Sequence, residues 1–195
     1  MLEWRFKWVH IAVNLPFVAS LLLLMLADGG DVPLWCLVAS LMHETGHVAA
    51  MLIWSRQPVQ VQFGIFGMRM VDDPNYLDYR RKMAVLLAGP LVNLACAAIL
   101  WLTGRVGTVM GVHLIIGLFN LLPIESLDGG QALSCLLAMR GDSDRSERML
   151  FLLSLMGVFF LSAAGFYLLL AGGYNYTLLA VALYLGILMI CNHKQ

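Results

Sequence analysis

Two imidazoles and a carboxylate fall within five residues, His43-Glu44-Thr45-Gly46-His47. Residues i and i+4 share one face of a helix, so His43 and His47 can reach one cation together. This H-E-x-x-H spacing is a divalent-metal pattern. Zinc is its usual occupant, and the intervening glutamate serves as general base for a metal-bound water. The segment lies in an apolar run from Pro33 to Trp54. An ionisable side chain at bilayer depth costs about 2.5–3.5 kcal/mol on insertion scales. Three in one turn of helix therefore need a partner, and a bound cation supplies one.

A catalytic zinc takes three protein ligands and a water. The other candidates at membrane depth are His10, His113, Glu125 and Asp128. Asp128 is favoured because it sits in a turn rich in proline and glycine, where non-helical backbone can line a polar cavity. Gly129 and Gly130 would let that backbone approach the metal. His10 and Asn14 stand one helical turn apart and read as bonds to neighbouring helices. His113 reads as structural.

The elements that must hold these groups are membrane spans. Of 195 residues, 61% are hydrophobic and 12% charged, with mean hydropathy +0.81. Soluble domains carry about 25% charged residues. The net charge is zero, which gives no electrostatic case for nucleic acid. The four cysteines are widely spaced and read as small apolar residues. The sequence predicts an all-α polytopic membrane protein of about six transmembrane helices. They cover about Trp8–Ala27, Pro33–Trp54, Met83–Leu102, Val106–Leu122, Met149–Ala171 and Tyr174–Cys191. A short helix is expected over Gln131–Met139. Between the second and third spans, Val59-Gln60-Val61-Gln62-Phe63 alternates with period two, which predicts a short membrane-associated β-hairpin through Val71. Of the twelve lysines and arginines, only Arg105 falls on the opposite side of this topology. The positive-inside rule then places both termini in the cytosol.

Three segments carry a resemblance to a known family: H-E-T-G-H at 43–47, A-G-P-L-V-N at 88–93 and N-L-L-P-I-E-S-L-D-G-G at 120–130. In this order they resemble the site-2 protease family of intramembrane zinc metalloproteases, most closely its stage IV sporulation branch. The resemblance covers about residues 8–140. It implies one zinc ion held by His43, His47 and Asp128, with Glu44 as catalytic base. It matches Asn93 and Asn120 to the family's motif asparagines, which would hold a substrate backbone or steady an oxyanion. Ser126 stands where the family often has a second proline. The expected organisation is a single intramembrane metalloprotease domain over 1–195, without a PDZ or CBS domain. The expected location is a bacterial cytoplasmic or forespore-surrounding membrane.

The implied activity is endoproteolysis, near the cytosolic side, of a membrane-embedded or membrane-tethered protein, such as a transcription-factor precursor. A regulatory membrane partner is a further expectation. A helical substrate hides its peptide bonds and must unwind first. The edge of the 59–63 strand would then add it as another strand. Arg80, Arg81 and Lys82 read mainly as topology determinants. The competing class is a metal-binding transporter, or a protein that sequesters membrane partners without cutting them. Glu44 separates these readings, because only the protease needs it for chemistry.

Overall fold

The structure is a computed structural model and describes residues 2–5, 9–13, 30–55, 59–64, 67–70, 77–139, 141, 143–171 and 177–192. Four strands are formed: β1 (Leu2–Arg5), β2 (Val9–Val13), β3 (Val59–Gly64) and β4 (Gly67–Met70). Six helices are described: α1 (Val32–Ser55), α2 (Tyr79–Leu102), α3 (Thr108–Asn120), α4 (Asp128–Ala138), α5 (Ser143–Leu170) and α6 (Thr177–Asn192). The chain divides into two compact units, Met1–Phe119 and Asn120–Gln195.

The expected fold class is corrected on three counts. First, the described residues are not all helical apart from one isolated hairpin. The strands form a single four-stranded sheet in the order β1-β2-β3-β4. β1 and β2 pair antiparallel, β2 and β3 parallel, and β3 and β4 antiparallel with Phe63 opposite Met68. Second, the start of the expected first span is β2, with Val9 opposite Val59. The rest of that span, including Asn14, lies outside the described residues. Hydropathy alone could not separate these outcomes, because a run such as Val9–Val13 suits a buried strand as well as a helix.

The third correction concerns the number of spans. Three described helical segments, within α1, α2 and α5, are long and apolar enough to cross a membrane. The apolar helices α3 and α6 have 13 and 16 residues. At 1.5 Å per residue they reach only about 20 and 24 Å, short of a hydrocarbon core of about 30 Å. An apolar count includes residues such as Val106 that fall outside the helix.

The helix ends follow from local chemistry. In α1, Trp35 N–H donates to Asp31 C=O at 3.1 Å. Pro33 falls in the first turn, where a missing N–H costs nothing. α2 starts four residues before the expected Met83, with Lys82 N–H donating to Asp78 C=O at 2.9 Å. It closes in a Schellman arrangement: Gly104 N–H donates to Trp101 C=O at 3.0 Å and Arg105 N–H to Leu100 C=O at 2.9 Å. Gly104 takes φ 71°, the left-handed conformation this stop requires.

In the first unit α1 packs along α2 around Ala50, Met51 and Val85, with Leu77 capping the cluster. In the second unit α4 packs on α5 and α5 on α6, burying Ile124, Cys135, Leu150, Ala182 and Leu185. Phe159, Phe160, Phe166 and Tyr167 of α5 are exposed. A contiguous apolar face of that kind is what lipid would cover.

Candidate metal centre

α1 presents His43 and His47 one turn apart, both buried, with their Nε2 atoms 3.1 Å from each other. The rings meet edge to face, with centroids 4.8 Å apart and planes at 78°. His47 Nδ1 lies 2.8 Å from the Val85 carbonyl oxygen. A carbonyl only accepts, so Nδ1 carries the proton and Nε2 keeps its lone pair. α2 thereby sets the tautomer of His47, as a helper group behind a metal-binding imidazole does. Glu44 is half-buried, between the two histidines in sequence.

The helices approach closely because glycines face one another's partners. A Cβ on Gly46 would lie 2.7 Å from the Ala88 carbonyl oxygen. A Cβ on Gly89 would collide with His47 Nε2 and lie 2.7 Å from its Cε1. The 88–93 segment is thus part of the site in a way its spacing alone did not reveal: Gly89 makes the room that the His47 ring fills. Pro90 sits inside α2, fully buried.

Asn93 is fully buried one turn beyond Gly89. Its Nδ2 is 3.4 Å from His43 Nδ1, and its Oδ1 is 3.0 Å from His113 Nδ1. His113, in the middle of α3, is buried. The sequence reads His113 as structural, and its buried bond to Asn93 agrees with that. The available signal was a polar side chain in an otherwise apolar helix.

In the second unit Asp128 opens α4 and is the acidic residue of its first turn. A carboxylate there meets the positive end of the helix dipole. Gly129 and Gly130 lie against the backbone of Leu121 and Ile124, so their lack of a Cβ serves the turn that precedes Asp128. That turn is held to α5: Glu125 N–H donates to Ser154 Oγ at 2.9 Å, and Ser154 Oγ–H donates to Leu150 C=O at 2.8 Å. Ser154 is fully buried and was not singled out from sequence. Its signal was one hydroxyl in Leu152-Leu153-Ser154-Leu155. Ser126 Oγ is buried with no hydrogen-bond partner. Asn120, half-buried, ends α3.

His43, His47 and Asp128 form a group of residues that could hold a metal ion. Two imidazole nitrogens and one carboxylate oxygen are a donor set that suits zinc with a fourth position left for water. Glu125 is not part of this group. His10 lies in β2. Val59, Gln60, Val61, Gln62 and Phe63 lie in β3, which is paired on both sides. An incoming strand cannot pair there without displacing β2 or β4, because both rows of backbone groups are already engaged.

No family model matches the chain. Stage IV sporulation protein FB of Bacillus subtilis (strain 168) is 28% identical over 156 residues, 73% of this chain and 54% of that protein. The chain thus spans about half the length of this curated relative. The Site-2 Protease from Methanocaldococcus jannaschii shares the fold, with TM-score 0.64 and 18% identity over 94% of this chain and 91% of that one. The chain is thus similar in sequence to one curated sporulation protein and in fold to one solved site-2 protease.

Proposed function

We propose that this chain is an intramembrane zinc endopeptidase that cuts a membrane-embedded or membrane-tethered protein. The observation that carries the reading is the group His43, His47 and Asp128, whose donors could hold a metal ion, with Glu44 between the two histidines in sequence. The names of the relative and of the structural neighbour support it.

His43 and His47 would ligate through Nε2 and Asp128 through a carboxylate oxygen. A bound zinc ion supplies Lewis acidity and lowers the pKa of its water towards about 7. Glu44 would serve as the general base, its carboxylate taking a proton from the attacking water and passing it to the departing amine. Asn120 is assigned to the substrate or the oxyanion. The substrate is assigned by chemistry to a single-span or membrane-anchored protein, with a transcription-factor precursor as the example the sporulation relative suggests.

The test compares wild type with Glu44→Gln, both purified with zinc and reconstituted with membrane extract from the source cells. Zinc content and new protein N-termini are measured. Equal zinc, with new termini from the wild type alone, is the expected outcome. Equal zinc with identical termini would overturn the protease reading and favour a protein that binds metal without cutting.

A further inference from the structure

Within the second unit, the turn that leads into Asp128 is seated on α5 at two points. The first is a side chain. Ile124 is fully buried, although it belongs to a turn and not to a helix. It lies over Gly157 of α5: a Cβ there would stand 2.9 Å from Ile124 Cγ1 and 3.2 Å from its Cδ1. Carbon atoms pack at about 3.5–4.0 Å, so no larger residue fits under Ile124 as it stands. The second point is the next peptide unit. Glu125 N–H donates to Ser154 Oγ at 2.9 Å, and Ser154 Oγ–H donates to Leu150 C=O at 2.8 Å. The hydroxyl's proton is thus tied back into α5, and its lone pairs are left for the turn. Ser154 and Gly157 are three apart on one helix, so they share a face. A notch and an acceptor stand side by side, and residues 124 and 125 fill them in order.

From this seat the chain runs directly into α4. Leu127 N–H donates to Ile124 C=O at 2.8 Å, and Gln131 N–H donates to Leu127 C=O at 3.0 Å. Asp128 is the first residue of the helix. A Cβ on Gly130 would collide with the same Ile124 carbonyl oxygen. Ile124 therefore meets α5 with its side chain and the first turn of α4 with its backbone. Any shift of Ile124 passes to Asp128 through one hydrogen-bonded turn. Helix propensity does not account for Gly157, because alanine forms helix better. Gly186 of α6 shows the contrast: a Cβ there would meet Val158 Cγ1 at an ordinary 3.6 Å.

We propose that Ile124, Ser154 and Gly157 are positioning residues for Asp128: α5 holds the turn before it at two points and so sets where the carboxylate stands for a divalent cation. The inference rests on the metal site of the proposed function and brings α5, which supplies no candidate ligand, into that site. Groups that orient a ligand from behind are worth about 10- to 100-fold in metal affinity. Gly157 acts through Ile124 and the backbone, so the lower end of that range applies.

The test uses the full chain in detergent, with zinc affinity read by competition against a chromophoric chelator. Gly157→Ala is expected to bind zinc about tenfold more weakly. Gly186→Ala should bind as the wild type does. Ile124→Ala removes both carbons that the new methyl group would strike. In that background Gly157→Ala should fill space instead of taking it, and should raise zinc affinity. This change of sign is the signature of the contact, and it is read even where Gly157→Ala alone folds poorly. Hydrogen exchange without zinc gives a second readout: the Leu127 amide should exchange faster in Gly157→Ala than in the wild type. Wild-type affinity in Gly157→Ala, equal losses in Gly157→Ala and Gly186→Ala, or a Gly157→Ala effect of the same sign in both backgrounds would overturn the proposal. A Leu127 amide unchanged in Gly157→Ala would overturn it as well. None of these readouts needs a substrate, so they fail separately from the Glu44→Gln comparison. A wild-type chain that takes up no zinc would end both readings.

Discussion

At the scale of single residues, the site depends as much on missing atoms as on present ones. Gly89 has no side chain to conserve a charge or donate a bond, yet its Cβ position is where the His47 ring lies. Adding one methyl group there must rotate the ring or push the helices apart. Overpacking of this kind costs about 1–3 kcal/mol. A ligand displaced by about 1 Å can cost about 100-fold in rate. Gly89→Ala is therefore expected to keep its helical circular dichroism while losing cleavage by about that factor and binding zinc more weakly; unchanged zinc affinity would show that the ring has slack. This also marks how far the site was legible from the chain alone. His43, Glu44 and His47 stand out as candidates because ionisable groups in an apolar run have no cheap alternative, and Asp128 because a carboxylate sits in a turn rich in proline and glycine. Gly89 belongs to the 88–93 segment, but its job depends on which atom of α1 it faces, and a one-dimensional pattern does not carry that.

At the scale of elements, Asp128 is only as well placed as the turn before it. That turn, 121–127, is bonded within itself and to α5 through Ser154. Ser154→Ala would leave the Glu125 N–H without its partner in a half-buried position. The expected cost is about 1–3 kcal/mol, the usual penalty for an orphaned buried donor. Hydrogen exchange is the direct measurement: the Glu125 amide should exchange faster in the variant while amides in α1 and α2 stay as they were. An unchanged Glu125 amide would mean that water replaces the hydroxyl without loss. The helices are more legible in the sequence than their lengths or the sheet. α1, α2 and α5 are long apolar runs with turn residues at their ends, and their existence follows from composition. The strand Val9–Val13 has the same composition, and its partner Val59–Phe63 lies far along the chain. Pairing between distant segments leaves no local trace, so the sequence alone makes β2 the start of a span. The sheet also changes what Val59–Phe63 can do, because a strand paired on both sides is not an edge.

For the molecule as a whole, the three candidate ligands come from two segments far apart in sequence, one in α1 and one at the start of α4. An ion that binds only when these segments are together stabilises the folded chain by mass action, by about 2.7 kcal/mol at a free zinc concentration 100 times the Kd. Stripping the metal with a chelator should lower the thermal midpoint in detergent, and adding zinc back should restore it. Asp128→Asn separates this linkage from ordinary packing. Its amide keeps the shape of the carboxylate but removes the charge that faces the cation, so most of the zinc-dependent gain should vanish. Some of the attraction of the first helical turn for a carboxylate is lost as well, worth about 0.3–1 kcal/mol. That loss is present with or without metal, whereas the zinc-dependent increment is not. A wild-type midpoint that ignores zinc would mean that the ligands do not close on an ion. An Asp128→Asn midpoint that still rises by the full increment would move the third ligand to another residue.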